Sequence, residues 1–149
     1  MPVPLALTMG EPAGIGPEIA AKAWTATRAG GAPFLWLGDP ALITGAPVAV
    51  IEAPEGAEAA FRHALPVLPM KLAAPVTPGR PDPRNAPAVI AAIEAAVRLC
   101  QAGRAGAVVT NPIQKAVLTA AGFPHPGHTE FLGELAGRGA KPVMMLACP

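Results

Sequence analysis

Short, uninterrupted apolar runs mark the chain at Val3 to Thr8, Phe34 to Leu37, Val48 to Ile51 and Ala107 to Thr110. Runs of this length, bounded by Gly and Pro, predict strands buried on both faces. Helical periodicity fills the spaces between them. It is clearest over Ala86 to Ala102, where Val89, Ile90, Ile93, Val97 and Cys100 recur at helical spacing. Asn85 stands at the cap position of that helix, Pro87 in its first turn and Gly103 beyond its end. Further helices are predicted over Pro17 to Arg28, Glu55 to Leu65, Lys115 to Ala121 and Thr129 to Ala136. Val67 to Leu72 predicts an edge strand or a loop because Pro69 interrupts it. Four prolines and a glycine predict a loop from Pro75 to Arg84. A last apolar stretch, Pro142 to Ala147, predicts another buried strand. Alternating strands and helices imply an α/β fold around a largely parallel sheet. An apolar strand so near the last residue leads us to expect that residues 1–149 are the amino-terminal part of a longer protein.

Composition narrows the function classes. Charged residues are 14% of the chain and the net charge is +1, so a nucleic-acid coat is not expected. Hydrophobic residues make up 52%, which argues against disorder despite 20 prolines and 16 glycines. No membrane span or secretory leader is expected, and two cysteines make no disulfide framework. The expectation is a cytoplasmic protein with reduced thiols.

Three clusters could carry chemistry. The first, Thr8 to Glu18, puts Gly10, Glu11, Gly14 and Gly16 between a strand and a helix, where ligands bind in parallel sheets. Its helix start offers N–H groups to an anion, but its spacing is not the dinucleotide fingerprint, and it reads equally as a tight turn. The second is Thr110 to Lys115. There Lys115 could hold a phosphate or carboxylate, and Asn111 could cap a helix or bond a ligand; a structural cap and a solvated lysine are the plain alternative. The third is Gly127 to Phe131. His128 could serve a phosphate, a carbonyl or a proton transfer, or bond to backbone, and Thr129 could cap the next helix. The histidines and cysteines lack zinc-type spacing.

Together these clusters resemble one family. TMGEPAGIGPEI over Thr8 to Ile19, Val109 to Lys115, Ala120-Gly122-Phe123-Pro124, and GHTEF within Gly127 to Leu132 match, in order and spacing, the amino-terminal half of the 4-hydroxythreonine-4-phosphate dehydrogenase family. The resemblance implies a three-layer α/β/α fold like that of isocitrate and isopropylmalate dehydrogenases. It implies oxidation of 4-phosphooxy-threonine with NAD or NADP to 2-amino-3-oxo-4-phosphooxybutanoate, which loses CO₂ to give 3-amino-2-oxopropyl phosphate on the route to pyridoxal phosphate. A homodimer with a divalent metal (Zn, Mg or Co) in each site is implied as well.

Residue by residue, His128 and Thr129 match the family's substrate-binding pair, and Lys115 is expected near the same pocket. Gly10, Glu11, Gly14, Gly16 and Asn111 are expected to line the cleft or meet the cofactor. The family's three metal-binding histidines match none of His63, His125 and His128. These 149 residues are therefore expected to hold no metal of their own and to be inactive alone. Ala86 stands where the family usually has Gly, and Asn111 and Gln114 also depart from its pattern. A dehydrogenase of a phosphothreonate or of a cis-dihydrodiol carboxylate is the nearest alternative. A non-catalytic module that binds a phosphorylated ligand is the alternative of a different class.

Overall fold

The computed structural model describes residues 3–148. Five strands, β1 (Leu5–Thr8), β2 (Phe34–Gly38), β3 (Val48–Val50), β4 (Leu65–Pro69) and β5 (Val108–Val109), form one sheet in the order β3-β4-β2-β1-β5. Every pairing is parallel. The helices are α1 (Gly16–Thr27), α2 (Ala57–Phe61), α3 (Ala86–Gln101), α4 (Lys115–Ala120) and α5 (His128–Ala136).

Every residue of β2 is buried. Because successive side chains point to opposite faces, both faces of the sheet must be covered. On one face lie α1 and α2. The Trp24 indole N–H of α1 donates to the Phe61 carbonyl of α2 at 2.7 Å, and the Phe61 ring meets Phe34 edge-on at 5.0 Å. The other layer is α3, which packs on β1, β2 and β5 and buries Val89, Ile93 and its inward alanines. Trp36, at the centre of the sheet, is wholly buried. No helix of the described residues is long and apolar enough to cross a membrane.

Several expectations are corrected. Residues 65–69 form an interior strand, not an edge or a loop. Leu65 N–H donates to Pro47 O, and Val67 O accepts from Ile51 N–H, so odd positions of β4 face β3. Pro66 faces β2 ahead of the first paired residues, Trp36 and Val67, and Pro69 faces β3 beyond its last, Val50. Each proline thus sits where the ladder asks for no donor. The helix expected over residues 55–65 is confined to a 3₁₀ turn, Pro54–Gly56, and α2. Asn85 stands at the cap position of α3 without capping it. Its Oδ1 accepts from Ala73 and Ala74 N–H and its Nδ2 donates to Ala74 O, which fastens the preceding loop. Residues 142–147 form no strand: Val143, Met144, Met145 and Leu146 are 79–91% exposed, and no strand of the described residues pairs with them.

Candidate functional site

β1 and β5 are parallel neighbours, so they leave the sheet at the same end and their exit turns meet. Asn111, 3% exposed, makes the joint. Its N–H donates to Thr8 Oγ1 at 3.2 Å, and its Nδ2 donates to Thr8 O at 3.0 Å and Gly16 O at 3.3 Å. Glu11 N–H donates to Pro112 O at 2.9 Å. Gly10 has φ +71°, and a Cβ there would lie 2.6 Å from Pro112 O and 2.8 Å from Asn111 Cβ. Only glycine takes that conformation without strain and leaves room for the crossing loop. A Cβ on Gly16 would run into the Met9 carbonyl oxygen.

The turn uses its own donors. Ala13 N–H bonds Glu11 Oε1 at 3.0 Å, and Gly14 N–H bonds Glu11 O at 2.9 Å. With the Glu11 N–H also engaged, three of the turn's amides are spent inside the protein. Gly10, Gly16 and Asn111 lie buried beneath its surface, while Glu11 and Gly14 line a groove.

The second and third clusters also meet. Lys115 is the exposed first residue of α4, and α5 begins at His128, with Gly127 before it. A Cβ on Gly127 would lie 3.6 Å from Lys115 Nζ, so the ammonium stands over the start of α5. Lys115 has no ion-pair partner among the described residues. Rings of Phe123, His125 and Phe131, with centroids 5.0–5.1 Å apart, hold this segment together. His128 Nε2 is buried without a hydrogen-bond partner. Burial, and then the charge of Lys115, hold the imidazole below its ordinary pKa, so it is neutral at neutral pH.

Neither helix is capped as expected. Thr129 is exposed in the first turn of α5 and caps nothing, because the helix starts one residue earlier. Gln114, not Asn111, stands at the cap position of α4. His125 is engaged by Glu134, Nε2 to Oε2 at 3.2 Å, and His63 lies exposed in the turn after α2. No three His, Cys, Asp or Glu side chains gather among the described residues.

The shift at His128 has a sign that can be checked. The folded state binds this proton more weakly than the unfolded chain, whose imidazole titrates near about 6.5. The residue's contribution to stability is therefore intact above that pH and lost as pH falls through the folded value. Between pH about 7.5 and about 5.5, wild-type stability is expected to fall further than that of His128→Gln, measured by urea unfolding.

One contributor lay outside the three clusters. Gly79 N–H donates to Ala13 O at 2.8 Å, bringing the loop of residues 75–84 onto the turn. Its Gly79 and Pro81 join Glu11, Ala13, Gly14, Ile15 and residues 112–114 around a groove of about 320 Å³. The sequence predicts only a loop here. Its glycine and prolines signal a bend but not what the bend touches.

The family model described as pyridoxal phosphate biosynthetic protein PdxA matches residues 32–149. A 4-hydroxythreonine-4-phosphate dehydrogenase of Methylorubrum populi is 51% identical over 158 aligned residues, covering 96% of this chain and 45% of the relative. The crystal structure of a 4-hydroxythreonine-4-phosphate dehydrogenase from Klebsiella pneumoniae is similar with a TM-score of 0.77 and 30% identity, over 89% of this chain and 44% of that one. A terephthalate 1,2-cis-dihydrodiol dehydrogenase from Burkholderia xenovorans is similar with a TM-score of 0.71 and 25% identity, over 95% of this chain and 42% of that one. The chain thus spans about half the length of the curated relatives it matches.

Proposed function

Since the chain belongs to the PdxA family of pyridoxal phosphate biosynthetic proteins, we propose that its protein oxidises 4-phosphooxy-threonine with NAD or NADP. The hydride leaves the hydroxyl-bearing carbon for the nicotinamide, and the hydroxyl proton goes to a base. The resulting β-keto acid, 2-amino-3-oxo-4-phosphooxybutanoate, loses CO₂ to give 3-amino-2-oxopropyl phosphate. The nicotinamide supplies the hydride acceptor when bound. A divalent ion belongs, in this reading, to parts of the protein other than these 149 residues, in a soluble cytoplasmic homodimer. The chain alone is then inactive.

What this chain supplies is substrate binding. The carrying observation is the unpaired Lys115 ammonium over the start of α5, beside the unpartnered His128 imidazole. Lys115 neutralises charge on the phosphate, the neutral His128 bonds it or an adjacent oxygen, and Thr129 offers a hydroxyl from the exposed first turn. The 51% identity to proteins named for this activity favours a phosphorylated substrate.

The likeness to the dihydrodiol dehydrogenase supports a second reading, in which Lys115 meets a carboxylate. The intact protein, given NAD or NADP, a divalent ion and each substrate in turn, decides. Reduced nicotinamide is expected with 4-phosphooxy-threonine, and its absence there overturns the first reading. In the same assay His128→Ala is expected to lower kcat/KM about tenfold, roughly 1.4 kcal/mol of transition-state binding. Unchanged kinetics would remove His128 from the substrate's surroundings.

A further inference from the structure

Among the described residues, Glu11 is the only ionisable side chain lining the groove between the turn of residues 10–16, the Gly79 loop and residues 112–114. Its backbone is held on both sides. The N–H donates to Pro112 O and the carbonyl accepts from Gly14 N–H, each at 2.9 Å. The residue is 7% exposed. Among the described residues its carboxylate has a single partner, the Ala13 N–H on Oε1.

No Lys, Arg or His of the described residues stands within ion-pair distance of Glu11. Asp82 and Glu55, on the surface, each hold a guanidinium instead, from Arg84 and Arg104. Partial burial of this carboxylate without a cation raises its pKa. A cation bearing N–H donors, arriving through the groove, offsets that burial and fills the remaining acceptor positions.

We propose that Glu11 is the anchor for the ammonium group of the small phosphorylated amino acid, and so selects an amino acid over its deaminated analogue. The inference rests on the substrate reading given above. Gln114 lines the groove and directly precedes Lys115, so one short loop joins the carboxylate end of the site to its cationic end. The ligand's two charges then meet opposite charges at the two ends, and a ligand lacking the ammonium leaves Glu11 unpaired.

The test is equilibrium binding to the intact protein by calorimetry, using 4-phosphooxy-threonine and the same molecule with hydrogen in place of the amino group. Wild type is expected to prefer the amino ligand by roughly tenfold or more. Glu11→Gln keeps an oxygen for the Ala13 N–H but removes the charge. It is expected to erase that preference by weakening the amino ligand alone. Equal wild-type affinity for the two ligands overturns the proposal without use of any variant. So does an equal effect of Glu11→Gln on both, which would mark a purely structural carboxylate. Binding of neither ligand to wild type would instead sink the substrate reading and this inference with it.

Discussion

Asn111→Asp is expected to destabilise the protein by about 4 kcal/mol at neutral pH, the range found when a buried charge is left without compensation. The Asn111 amide is all but sealed from water, and its Nδ2 donates to two carbonyl oxygens, Thr8 O and Gly16 O. A carboxylate in its place turns two hydrogen bonds into two repulsions. Asn111→Ala removes the donor without adding charge and is expected to cost about 2 kcal/mol. The excess for aspartate has a pH signature. Its folded pKa must lie above the unfolded value, so the group favours folding when protonated and loses that as pH rises through the folded value. The gap between the Asp and Ala variants should therefore narrow from pH about 7 towards about 4 in urea titrations. An aspartate variant no less stable than the alanine variant at neutral pH would show that Nδ2 does not hold the two exit turns together.

Gly10→Ala is expected to cost about 3 kcal/mol. A side chain in the left-handed region accounts for about 1 to 2 kcal/mol of this, and the added methyl's overlap with Pro112 O and Asn111 Cβ accounts for the remainder. Gly45→Ala separates the two causes. Gly45 also has positive φ, +80°, but a Cβ there meets nothing within 4 Å. Only the conformational part should appear, about 1 kcal/mol. Equal losses at the two positions, by chemical denaturation, would mean that the loop of residues 111–112 gives way and that the close packing against the turn is not tight.

The sequence conveyed the order of elements because buried parallel strands leave an unmistakable mark: Phe34 to Leu37 admits little else. Two of the three candidate clusters, Thr8 to Glu18 and Thr110 to Lys115, stand out because each sits where a strand hands over to a helix, while the third, Gly127 to Phe131, lies between α4 and α5. The sequence failed where meaning depends on the partner. Pro66 and Pro69 look like strand breakers until the register shows which backbone groups the neighbouring strands leave idle. Asn85 has the place of a helix cap, yet its amide is taken by a loop eleven and twelve residues back. Thr129 lost its capping role through a one-residue shift in where α5 begins. The stretch from Val143 to Leu146 has the composition of a strand, but a strand needs a neighbour and none is there among the described residues. Gly79 showed no sign in sequence that it would bond the turn sixty-six residues earlier, because a backbone hydrogen bond leaves no trace in residue type.

The placement of the two indoles has a practical result. These 149 residues include no tyrosine, and Trp24 and Trp36 are both shut inside the packed layers, one bonded to α2 and the other at the centre of the sheet. Their ultraviolet emission therefore reports whether the interior is intact. A substitution at the ligand-facing rim that leaves that emission unchanged in this chain has left its packed layers intact, and a single fluorescence scan shows it.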